Sequence, residues 1–143
     1  MRLRPALLLL AAGQAVCMGG YAQDNALSLA VACPRAGEVT QLHLLGLWRA
    51  TFEGLAQGAT LLLEQHPEFA GSVRGAINRN GDRALLAGDV EDGEVTLEES
   101  ANGTNISATW LGDVVEGSCG REIRGTWQAE GDSQARPFLL RKQ

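Results

Sequence analysis

The chain has 143 residues, 45% hydrophobic and 20% charged, which suits one soluble domain and leaves no room for the paired domains of many cofactor enzymes. Seventeen acidic residues against twelve basic ones give a formal net charge of −5, the wrong sign for a nucleic-acid partner. Eighteen glycines with only four prolines point to a chain that turns often.

Arg2 and Arg4 precede an apolar run from Leu7 to Ala12, and Gly20-Tyr21-Ala22 places small residues where signal peptidase reads. The pattern predicts a signal peptide over residues 1–22. Gly13 and Gln14 interrupt the run short of the roughly 20 apolar residues a bilayer needs, so no stable membrane insertion is expected after cleavage. Cys17 follows Gln14-Ala15-Val16, which is a poor lipidation signal. Eleven of the twelve basic residues are Arg, and Ala and Gly are abundant, as in proteins of GC-rich bacteria. The expected compartment is therefore the periplasm or the exterior. Without Arg2 and Arg4, ten basic residues stand against 17 acidic ones, a net charge of −7.

Residues 23–45 read as a short N-terminal helical plug. Asp24 is placed to cap a helix through Val31, Pro34 stops its continuation, and Val39 to Leu45 suits a second turn over one end of the domain. Cys33 and Cys119 are the cysteines left after cleavage, and in an oxidising compartment such a pair forms a disulfide. It would join the plug to a late loop and contribute on the order of 3–4 kcal/mol by the chain-entropy model. The alternatives, a zinc pair or a reactive thiol, lack CxxC spacing or an adjacent His.

From Gly46 onward apolar and polar residues alternate with a period of two, cut at intervals by Asn80-Gly81, Asp92-Gly93 and Asn102-Gly103. Each dipeptide supplies the positive φ angles of a two-residue hairpin turn. Strands are predicted near 46–53, 59–65, 70–78, 83–90, 94–100, 104–111, 121–129 and 135–141. Trp48, Ala50 and Phe52 fall on one face of the first. Val73, Gly75 and Ile77 share a face of the third, Val95 and Leu97 of the fifth, Ile106, Ala108 and Trp110 of the sixth, and Ile123, Gly125 and Trp127 of the seventh. The fold class expected over 46–143 is all-β: an eight-stranded antiparallel up-and-down barrel, or a closely related sandwich. Gly or Ala stands two positions before each Trp, as in Gly46-Leu47-Trp48, Ala108-Thr109-Trp110 and Gly125-Thr126-Trp127. These small residues either make room for the indoles in a filled core or leave a cavity. In the second case Trp48, Phe52, Trp110 and Trp127 would line an interior site for a small apolar ligand.

Gly46-Leu47-Trp48 opening the first strand, an eight-strand meander, a preceding plug and Arg141 near the end of the last strand resemble the calycin group, which includes lipocalins and avidins. The resemblance implies a closed barrel in which Trp48 packs at one end beneath the basic side chain of Arg141. It implies no ligand here, because neither the further lipocalin loop motifs nor the avidin biotin-binding residues map onto this sequence.

Between Ala84 and Gly120 there is no Lys or Arg, while eight carboxylates fall in the same stretch. Asp89, Glu91, Glu94 and Glu98 are candidates for an acidic face that meets a cationic protein, against the plainer reading of a solvated face. Asp89 to Glu94 does not meet EF-hand spacing, and no metal site or cofactor is expected. His43 and His66 stand beside no nucleophile, and Glu98 and Glu99 point to opposite faces of a strand, so no catalytic set emerges and an enzyme is not expected. The function expected is a secreted or periplasmic binding module that recognises a protein partner, inhibitor-like, through rim loops or the acidic face. The alternatives are a carrier of a small apolar ligand and an envelope structural or stress protein.

Overall fold

The computed structural model describes residues 33–143, so the expected signal peptide and the helix from Asp24 to Val31 lie outside the described residues. Eight strands form a closed antiparallel barrel: β1 (Gly46–Phe52), β2 (Ala59–Gln65), β3 (Ser72–Arg79), β4 (Asp82–Glu91), β5 (Glu94–Ser100), β6 (Ala108–Val114), β7 (Glu122–Ala129) and β8 (Arg136–Lys142). Each strand pairs with its successor, and β8 returns to β1 through Trp48↔Lys142 to Phe52↔Phe138. Of the two expected architectures, barrel and sandwich, the chain adopts the barrel, which leaves no sheet edge unpaired.

Local chemistry explains the tight corners. Asn80 and Gly81 have φ of 52° and 99°, and Asp92 and Gly93 have φ of 50° and 85°, so both pairs make the hairpin turns expected of them. Asn102-Gly103 does not. Only Gly103 has positive φ there, and the Asn102 side-chain oxygen accepts the backbone N–H groups of Thr104 and Asn105 instead. That local capping opens a loop over 101–107, so β6 starts at Ala108 rather than at 104. Ile106 consequently lies in the loop and is exposed, while Ala108 and Trp110 keep their inward positions.

The barrel interior is filled. Trp48, Leu61, Leu63, Val73, Ile77, Leu97, Trp110, Ile123 and Leu140 are each almost completely buried and belong to one continuous cluster. Two of the interior glycines, Gly75 and Gly125, stand where backbones come close. A Cβ at Gly75 would lie 2.0 Å from the Leu62 carbonyl oxygen, and one at Gly125 would lie 1.9 Å from that of Leu111. At these two positions glycine lets adjacent backbones approach more closely than a Cβ would allow, and the space beside them is occupied by backbone.

The plug covers one end. A single 3-10 turn (Ala36–Glu38) and a one-turn helix (Gln41–Leu44) bring Val39 and Leu44 into the core. Cys33 and Cys119 form a disulfide, the Ala36 N–H donates to Glu116 at 3.0 Å, and the Gln41 amide donates to the Ala70 carbonyl at 2.9 Å. No helix among the described residues is long and apolar enough to cross a membrane.

Candidate functional site at the barrel mouth

Strand polarity divides the residues singled out in the sequence between two ends. At the plugged end the Trp48 indole donates to the Leu44 carbonyl at 2.7 Å. The cation over its ring is Lys142, with Nζ 5.8 Å from the ring centroid and donating to the His43 carbonyl at 2.6 Å. This corrects the expected pairing with Arg141. Lys142 is the direct β8 partner of Trp48 and shares its inward face, whereas Arg141 is one residue out of phase, exposed, and bonded to Glu122 at 2.8 Å. Trp48 therefore seals the closed end and stands apart from the other three candidate ligand residues.

Phe52, Trp110 and Trp127 meet at the opposite end, with ring centroids 5.4 Å and 5.9 Å apart for the two pairs that include Phe52. This mouth is framed by the loops over 53–58 and 101–107, the turn at 80–81 and the loop over 130–135. Two charged residues that were not among the sequence-derived site candidates, Arg79 and Glu99, complete it. Glu99, at 3% exposure, is the one buried charged residue among those described, and Arg79 forks onto both of its carboxylate oxygens. The Trp110 and Trp127 indoles donate to the same Glu99 oxygen at 2.7 Å and 2.9 Å. The Arg79 guanidinium lies 5.2 Å from the Trp127 ring, 5.8 Å from that of Phe52 and 5.9 Å from that of Trp110.

The signal for both residues was present in the period of two. Val73, Gly75 and Ile77 continue in phase to Arg79, and Val95 and Leu97 continue in phase to Glu99. Ending the third strand at 78 hid Arg79. Reading Glu98 and Glu99 as part of an acidic run hid that the inward one had come to face an arginine two strands away. The interior lining is therefore not purely apolar, since an ion pair occupies its mouth end.

Above the pair lies a cavity of about 170 Å³ lined by Phe52, Leu55, Gln57, Gly58, Arg79 and Trp127. Larger hollows of about 420 and 440 Å³ lie against the outer wall, around Pro137 and around Leu85.

The acidic candidates lie on the outer wall. Glu91, Glu94 and Asp113 stand in one register row across β4, β5 and β6, and Asp89 and Glu98 lie nearby on the same exposed face. The Ser72 hydroxyl donates to Asp89. Each histidine binds local backbone: His43 Nδ1 accepts from Thr40 N–H at 2.9 Å, and His66 Nδ1 accepts from Glu68 and Phe69 N–H at 3.2 Å. Among the described residues no three His, Cys, Asp or Glu side chains sit together as metal ligands. The chain matches no model of a known protein family and no curated protein.

Proposed function

We propose that this chain is a secreted or periplasmic binding module of calycin-like build that recognises a protein partner, inhibitor-like, through the rim of its barrel. The observation that carries the reading is a filled barrel whose concavity at the mouth is small and amphipathic. Ligand sites for drug-sized molecules occupy roughly 300–1,000 Å³. At about 170 Å³ the mouth suits one protruding side chain, and the core cluster leaves a cargo molecule no room along the axis. A barrel of this kind is a rigid frame presenting loops, as many interaction modules are. The Cys33–Cys119 disulfide supports an oxidising compartment. The carboxylate row on the outer wall would hasten encounter with a cationic partner and make association slow as salt rises.

A photo-reactive residue at Leu55, on the rim, tests the reading against one at Leu111, equally apolar and 55% exposed on the wall. In the producing cells the rim position is expected to give a discrete protein adduct that the wall position does not. Adducts of equal pattern from both positions, or none from either, would count against rim recognition.

A further inference from the structure

The mouth cavity has a chemical character that narrows what it accepts. Its walls are the Phe52 and Trp127 rings and the Leu55 side chain, itself 49% exposed and free to fold over an occupant. Its floor is the Arg79 guanidinium. Every side-chain hydrogen bond that Arg79 makes among the described residues goes to Glu99, and they employ only the two terminal nitrogens. No buried side-chain nitrogen among the described residues lacks a partner, so Nε, which bonds to none, is accessible to solvent, on a side chain that is 31% exposed and lines the mouth cavity. The site thus offers a hydrogen-bond donor inside an apolar rim.

The donor is held in place. Glu99 fixes the guanidinium by a two-point fork, the two indoles fix Glu99, and three rings pack against the guanidinium. Burying such a pair costs desolvation, which the acceptor that Glu99 gives to the Trp110 and Trp127 indoles offsets in part. The pair confers a rigid donor at one end of an otherwise apolar core. The charge of Arg79 is already matched by Glu99 within a chain of net charge −5, so the mouth is not an anion trap.

We infer that the mouth binds an uncharged carbonyl group joined to a compact apolar group, as a partner presents in a Leu-sized side chain and its adjacent peptide carbonyl. The side chain fills the cavity between Phe52 and Trp127, and the carbonyl oxygen accepts from the Nε–H of Arg79. This rests on the reading of the rim as a protein-binding surface and names what the rim takes hold of.

The test is NMR titration of the mature, disulfide-bonded protein, following the Trp127 indole N–H and Arg79 Nε–H signals. The probes are N-acetyl-leucinamide, isovalerate with the same branched tail but a negative charge, and 3-methyl-1-butanol with that tail and no carbonyl. The expected result is saturable binding of the amide at millimolar concentration, at least tenfold tighter than either other probe. Binding should weaken at least tenfold in Arg79→Met. Leu55→Glu, a rim change that leaves the core untouched, should weaken it as well, which guards against misfolding of the first variant. Absence of saturable shifts with the amide, a preference for isovalerate, or unchanged binding in folded Leu55→Glu would overturn the inference. If the amide fails while Leu55 still captures a partner, rim recognition stands and only the occupant is wrong. If both fail, the rim reading goes with it.

Discussion

Glu99 is held by four donated hydrogen bonds, so its neutral isostere is not equivalent to it. Glu99→Gln would leave the Arg79 charge without a counterion and set an amide N–H₂ among donors. Breaking a fully buried pair costs about 3–5 kcal/mol, and because Arg79 is partly exposed we expect about 2 kcal/mol, measured by urea unfolding. The double change Arg79→Met with Glu99→Gln removes the stranded charge while keeping an amide oxygen for the two indoles, so it should recover part of that loss, and a double variant no better than Glu99→Gln would argue against this account. Lys142 offers a second test, being the single lysine of the chain. Burial, and secondarily the charge of Arg121, holds its amine below the ordinary value of 10.5. The unfolded chain then binds the proton more tightly than the folded one. Stability should therefore be lower while both forms are protonated and should rise with pH through the alkaline window that ends at the ordinary value. NMR of the isotopically methylated amine should give a lower midpoint in the folded than in the urea-unfolded protein, and equal midpoints would contradict it.

At the scale of the strands, backbone approach and charge rows set the sensitivities. Adding one methyl at Gly125 brings it against the Leu111 carbonyl and Gly112 Cα, which are backbone atoms and cannot swing aside. Gly125→Ala should cost about 1–3 kcal/mol by thermal or urea unfolding, whereas a cavity at that place would make the same change neutral or stabilising. Across β4, β5 and β6 the row Glu91, Glu94 and Asp113 sets like charges directly opposite one another. Glu94→Gln should gain about 0.5 kcal/mol at low salt and less at high salt. A loss of stability would mean that the row is engaged in contacts favourable to the fold.

For the whole molecule, the disulfide closes a separation of 86 residues between the plug and the loop before β7. Replacing Cys33 and Cys119 by Ala should lower stability by about 4 kcal/mol in the chain-entropy view. Because the plug seals the end opposite the mouth, mouth probes should bind the reduced protein as they bind the oxidised one while it remains folded. The barrel thus separates its tasks: Trp48 and Lys142 with the plug close one end, and Arg79 and Glu99 with three rings furnish the other.

Much of this was legible in the sequence because its signals are local. Period-two alternation gave eight strands to within a few residues over most of the chain, Asn80-Gly81 and Asp92-Gly93 specified their turns by backbone sterics, and the cysteine pair announced its bond. What stayed hidden depended on which strands become neighbours. That Trp48 meets β8 at all depends on closure of β1 onto β8, whereas the choice of Lys142 over Arg141 follows the period of two through the buried Phe138 and Leu140. The Asn102 loop required knowing that its side chain would cap the backbone instead of closing a hairpin. Most of all, Arg79 and Glu99 lie 20 residues apart on strands separated by a third, and although the period of two turns both inward, only the curvature of the barrel brings them onto one another. Sequence determined the strands and their faces through short-range sterics and hydrophobic period. Tertiary structure alone decided the mouth, because an ion pair among aromatic rings exists only where curvature brings distant strands across a shared interior.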